Sequence, residues 1–270
     1  MTGERLTAPP HWSELLQTAL TLPGHSSGTY SRFRNLSLGN QALLMMQSVF
    51  EPVNTFKAWK ALGRQVKKGS KAKVIYVPMF RKELHDNGEL EERLSGFKLV
   101  PCMFGVSETE GDDLPPWEPP TWSKERALKT LKITEVKYAM IDPNCQGYSS
   151  KNTVAVNPLA RFPFKTLIHE IAHVTHGHTT DEGLDEYQTH RGLMEFQAES
   201  TAYLVLNELD ALKQFDPAES RHYIATWLQG QTPSEQDIKR VFSVADRIIK
   251  AGLETPDGLE PSEQKVAIAA

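Results

Sequence analysis

Residues 166–178 read TLIHEIAHVTHGH, with four histidines and one glutamate in thirteen positions. Leu167, Ile168, Ile171, Ala172 and Val174 recur at helical spacing, and Gly177 stands where a C-terminal cap belongs, so a helix is predicted. On that helix His169 and His173 lie one turn apart on one face. Two imidazoles so placed can chelate one Zn²⁺ at about 2.0–2.1 Å each. Glu170 is carried to the side of the same site, where it serves as a general base toward a polarised water rather than as a ligand. Residue frequencies alone would produce this HExxH pattern in on the order of one per cent of chains this long. A third ligand therefore decides between accident and site.

The third ligand is expected on a following helix packed against the first. Residues 192–209, GLMEFQAESTAYLVLNEL, form such a helix by pattern, with Leu193, Phe196, Leu204 and Leu206 on its apolar face. Ala198 and Ala202 permit close approach. Glu195 and Glu199 are i and i+4, and by spacing either can face the histidines. The EFQAE stretch resembles the third-ligand helix of the thermolysin-like peptidases called gluzincins. That resemblance implies that Glu195 binds the metal and that Glu199 orients a ligand histidine from the outer shell, as a ligating imidazole requires. The connection of 21 residues between His173 and Glu195 is an ordinary length for gluzincins. His176 and His178, which open the polar stretch HGHTTDEGLDEYQTHRG, read as solvated loop residues. His190 and Tyr203 are candidates to line a cleft as oxyanion donors.

The rest of the chain divides by charge. Residues 1–105 carry a balance of +6 and residues 106–270 a balance of −10, which suggests two domains with different partners. Between them, SETEGDDLPPWEPPTWS (107–123) has four prolines and five acids, and reads as an extended linker whose tryptophans dock on a neighbour. The expected domains are 1–115 and 124–255, with 256–270 a disordered tail. After the linker, SKERALKTLKIT reads as a short helix capped by Ser123, and KNTVAVNP as a strand that ends at Pro158. No apolar run is long enough to span a bilayer, and the N-terminus lacks the apolar region of a secretory signal. Cys102 and Cys145, without CxxC spacing, read as free thiols of a cytoplasmic protein.

From Glu51 to Lys82 there are nine Lys/Arg and one acid, with Phe56 and Trp59 among them. A charge run is usually a solvated face. Interleaved aromatics favour single-stranded nucleic acid, which needs both phosphate neutralisation and base stacking. Trp59 stands equally well in the core. Arg32, Arg34, Asn40, Trp59, Arg64, Lys67, Lys68 and Lys71 are the candidate DNA contacts. No helix-turn-helix, zinc-finger or RNP pattern is present, so sequence-specific readout is not expected.

GNQALL, then FKAWKALGRQVKKGSKA, followed by an HExxH segment, is similar to the ArdC-type antirestriction proteins of conjugative plasmids. The similarity runs through both halves in order. It implies an N-terminal domain that binds single-stranded DNA, a C-terminal metallopeptidase-like domain, and protection of incoming plasmid DNA from host restriction. The stretch between the HExxH helix and the third-ligand helix is shorter here than is usual in that family. The expectation is an α+β protein of two domains, a basic α/β DNA-binding domain and a gluzincin-like metal domain. Two histidines and a carboxylate favour Zn²⁺ and accommodate Mn²⁺. A host protein is the expected peptidase substrate if that site is active. The alternative is a soluble zinc metallopeptidase whose basic half binds protein.

Overall fold

The computed structural model describes residues 6, 8–21, 36–84, 90–114, 121–139, 142, 144–212, 218, 220, 224 and 233–253. Seven helices accompany three small sheets in this description: α1 (Trp12–Thr21), α2 (Leu38–Met46), α3 (Phe56–Ala61), α4 (Lys124–Leu131), α5 (Pro163–His176), α6 (Asp181–Glu208) and α7 (Glu235–Gly252). The strands are β1 (Val53–Thr55), β2 (Arg64–Val66), β3 (Lys73–Leu84), β4 (Leu90–Gly105), β5 (Thr109–Gly111), β6 (Thr134–Glu135), β7 (Gly147–Ser150) and β8 (Thr153–Val156). The chain is α+β. No helix among the described residues is long and apolar enough to cross a membrane.

The first sheet runs β1-β4-β3, all antiparallel, and β3 and β4 form a long hairpin. The ribbon extends to Leu84 and exposes Phe80, Leu94 and Phe97 on one face. Strand β5 pairs with β2, so the segment expected as linker begins with ladder structure at Thr109, while 115–120 lie outside the described residues. Trp122 docks as expected. Its ring meets Phe164 edge-on at 5.7 Å, and its Nε1 donates to the Ile248 carbonyl at 3.3 Å. A Cβ at Gly252 would lie 2.2 Å from that indole nitrogen, which explains the glycine there.

Local sequence signals set the helix ends. Ser37, Thr55, Ser123 and Ser234 each cap a helix by accepting a backbone N–H. Pro163 opens α5, and Gly177 closes it in the left-handed conformation at φ 79°. Helix α6 starts earlier than its apolar pattern, at Asp181, because Thr180 caps it, and it kinks at His190, where φ is −122°.

One core joins Leu15, Leu16 and Leu20 of α1 and Leu38, Ala42 and Leu43 of α2 to Ile168, Ile171, Phe196, Leu206, Val241 and Ile248. The helices of the basic half thus pack on α6 and α7, the two helices that lie against the histidine helix α5. A second core of Leu36, Leu44, Val49, Val53, Ile75 and Met103 lies against the first sheet, and α2 contributes to both. Asp246 of α7 reinforces the join by accepting the Leu38 N–H at 3.0 Å, at the start of α2.

Candidate metal centre

Helix α5 buries Leu167, Ile168, Ile171 and Ala172 and turns His169 and His173 toward α6. Ala198 and Ala202 are fully buried, so the two helices approach closely at this level. Among the described residues, His169, His173 and Glu195 form a set whose ligand atoms all lie within 4.8 Å of one another. The two Nε2 atoms are 3.1 Å apart, and Glu195 Oε2 lies 3.5 Å from His169 Nε2 and 3.7 Å from His173 Nε2. Tetrahedral coordination at about 2.05 Å would place donors about 3.3 Å apart. The three donors match that spacing, and their chemistry suits a divalent cation.

Glu199 stands one turn further along α6. Its Oε2 lies 3.1 Å from His169 Nδ1, and Lys165 Nζ pairs with its Oε1 at 2.8 Å. Burial would raise the Glu195 and Glu199 acids, but the imidazoles overcome it. Glu195 is held well below the usual carboxylate range by His169 and His173, and Glu199 is lowered to about 2 by His169 and Lys165. Burial pulls His169 down, yet hydrogen bonds to Glu195 and Glu199 raise it to about 10. Glu170 is 8% exposed, and its Oε2 accepts the Ser149 hydroxyl at 2.7 Å. Gly147, on the same strand β7, allows this approach, since a Cβ there would sit 2.5 Å from Thr166 and 3.3 Å from Glu170 Cγ.

Three expectations about the surrounding residues are corrected. His176 and His178 are not solvated: they are 1% and 4% exposed. The left-handed turn at Gly177 folds the chain back under α5 instead of releasing it to solvent. Burial, reinforced by neighbouring charge, lowers His176 well below its ordinary value and His178 to about 4, so both are neutral. Tyr203 does not line a cleft, because its ring is buried and its hydroxyl donates to the Leu20 carbonyl at 2.9 Å. His190 is exposed at the kink of α6.

The candidate DNA contacts separate in the same way. Trp59 is 0% exposed and its Nε1 donates to the Phe104 carbonyl at 2.9 Å, so it is core and offers no stacking face. Asn40 is also buried, with both ends of its amide bonded to Tyr76. Arg64 is half-buried, its guanidinium held by Thr109 and the Asp112 carbonyl. Lys67, Lys68 and Lys71 are exposed around the turn at Gly69, Lys67 donating to the Ser107 carbonyl. Arg32 and Arg34 lie outside the described residues. The aromatic that the basic segment does present to solvent is Phe56, 54% exposed beside the exposed Lys57 and Lys60 and edge-on to Phe104. Phe56 and Trp59 are i and i+3 on α3 and so lie on neighbouring faces, and helical spacing alone does not separate them.

Residues 12–103 match the family model described as the N-terminal domain of anti-restriction factor ArdC. Over those residues, about a third of the chain, it resembles that domain. Two solved structures of the antirestriction ArdC protein from plasmid R388 share its fold at 16% identity. The metal-free one aligns at a TM-score of 0.50 over 96% of this chain and 97% of its own. The one with Mn(II) bound aligns at 0.50 over 91% and 99%. No curated protein matches this chain. The ArdC N-terminal match ends at residue 103, ahead of α4 to α7, so it does not itself cover the histidine helix.

Proposed function

We propose that the chain is an antirestriction protein that acts by binding single-stranded DNA and that also holds a divalent cation at His169, His173 and Glu195. The observation that carries this reading is the ArdC match over residues 12–103, which contains the basic segment. Lys67, Lys68 and Lys71 supply phosphate-neutralising charge, and Phe56 with Lys57 and Lys60 supplies a ring for a base to stack on. None of these side chains reads a base edge, so the binding is tolerant of sequence.

The donor set suits Zn²⁺ and accommodates Mn²⁺, and the existence of a Mn(II)-bound ArdC structure supports a divalent cation here. When bound, the cation supplies Lewis acidity that activates water for hydrolysis. Glu170 is the residue of this chain that takes the proton, and the Ser149 hydroxyl fixes the orientation of its carboxylate. Strand β7 is an edge of its sheet, in the order β6-β8-β7, so an extended peptide can lie along it next to Glu170. A DNA-bound host protein is the substrate that would join the two activities. The test is oligonucleotide binding by the full chain over a salt series, together with antirestriction by Glu170→Gln.

A further inference from the structure

We propose that His178, Gln197 and Asp237 form a directed hydrogen-bond chain that positions His173 and tunes the affinity of the metal centre. This rests on the reading that His173 takes the cation through Nε2. That atom faces His169 Nε2 at 3.1 Å and Glu195 Oε2 at 3.7 Å, so Nδ1 points away. Nδ1 lies 3.0 Å from Nδ1 of His178. Two ring nitrogens at that distance need one donor and one acceptor. A ligating Nε2 is bare, so the His173 proton sits on Nδ1 and His178 Nδ1 accepts it. The His178 proton is then on Nε2, which donates to Gln197 Oε1 at 2.9 Å. This fixes the amide, whose Nε2 donates to Asp237 Oδ1 at 3.1 Å. The flipped amide would set donor against donor at one end and acceptor against acceptor at the other.

Each link therefore runs in one direction, and the chain ends on a carboxylate. Asp237 is anchored at the start of α7, where its Oδ2 accepts the Ser234 N–H at 2.9 Å and hydroxyl at 2.6 Å. His178 is locked in turn by the α5 terminus. Gly177 N–H donates to the Val174 carbonyl at 2.9 Å and His178 N–H to the His173 carbonyl at 3.0 Å, while the His176 ring stacks on His178 at 5.0 Å. The two ligands are thus polarised unequally. His169 faces the Glu199 carboxylate directly, whereas His173 meets a neutral imidazole with its carboxylate two side chains away.

The test uses the full chain with Co²⁺ as probe, read by its absorption spectrum and by competition with a chromogenic chelator. Wild type should take up one equivalent; no uptake would overturn the metal-site reading and this proposal with it. His178→Phe and Gln197→Leu should weaken Co²⁺ binding about 10–100-fold and about several-fold, and both should shift the spectrum. His178→Asn places a carbonyl oxygen where Nδ1 was, and should recover most of the affinity lost in His178→Phe. Wild-type affinity and spectrum in His178→Phe, or equal losses in the Phe and Asn variants, would reduce the chain to packing and overturn the proposal.

Discussion

The side-chain amide of Asn40 grips the backbone of Tyr76 at two points, its Oδ1 accepting the Tyr76 N–H at 2.8 Å and its Nδ2 donating to the Tyr76 carbonyl at 3.0 Å. Gln47, at the other end of α2, repeats the arrangement on Val74 at 2.9 and 2.8 Å. Val74 and Tyr76 are alternate residues of β3, the outer strand of its sheet, so both peptide groups face away from β4. Helix α2 substitutes for the missing strand and closes an edge that would otherwise invite pairing. Asn40→Ala is expected to leave both partly buried Tyr76 groups unpaired, at a cost of about 1–3 kcal/mol in denaturant unfolding. Oligonucleotide affinity of the folded fraction should not change. A specific loss of DNA binding at unchanged stability would return Asn40 to the DNA interface.

His169→Ala, His173→Ala and Glu195→Ala should each abolish stoichiometric metal uptake, measured by elemental analysis after dialysis. Glu170→Gln should keep it, because Glu170 is bonded to Ser149 and lies outside the donor triangle. Glu199→Ala should weaken uptake about 10–100-fold by releasing His169. Full uptake in Glu195→Ala, with none in Glu199→Ala, would exchange the roles of the two carboxylates.

For DNA, reversing Lys67, Lys68 and Lys71 to Glu should weaken binding to all oligonucleotides alike. The salt slope should fall by about 2 in log–log form, near 0.7 per phosphate contact on single strands. Phe56→Ala should cost about 1–3 kcal/mol in affinity with little change in slope, since stacking is not ionic. Trp59→Phe should lower stability and leave the affinity of the folded protein intact. If Trp59→Phe alone abolished binding at full stability, the stacking face would have been misplaced.

Asp246 gives a pH signature of the join between the two halves. Burial raises its carboxyl from 3.8 to about 6, against the Leu38 N–H and Lys250, which lower it. Between those values a rising pH strips the proton from the unfolded chain before the folded one. Stability present below pH 4 is therefore lost as pH climbs to 6, by on the order of 3 kcal/mol. Asp246→Asn keeps an acceptor for Leu38 and carries no proton to lose. Its unfolding midpoint between pH 4 and 7 should lack that descent, and an unchanged profile would assign the pH dependence elsewhere.

The histidine helix was legible because its evidence is local. Period, Pro163 and Gly177 fix α5, and the i, i+4 pair Glu195 and Glu199 follows from the next apolar stripe. His178 was not legible, because its burial depends on the turn at Gly177 and on Gln197 and α7, none of which its own sequence neighbourhood reveals. Trp59 and Phe56 share one basic run, and only the placement of β4 behind α3 decides which faces solvent. The shared core of α1, α2, α5 and α7 rests on contacts more than a hundred residues apart, while charge pattern registers only the contrast between halves.

The last prediction separates occupancy from hydrolysis. A protein that protects DNA by covering it acts through Lys67, Lys68, Lys71 and Phe56, and does not need a proton acceptor. One that removes a bound host enzyme does, and loss of the general base typically costs about 10²–10⁴ in rate. The basic segment is well supplied with exposed charge, which covering DNA requires. Occupancy is therefore the expected mode. Glu170→Gln should retain most of its antirestriction in cells challenged with restricted incoming DNA, and the triple lysine reversal should lose it. Loss of protection in Glu170→Gln, at wild-type metal content and DNA affinity, would show instead that Glu170 chemistry drives protection and that the centre is a working peptidase.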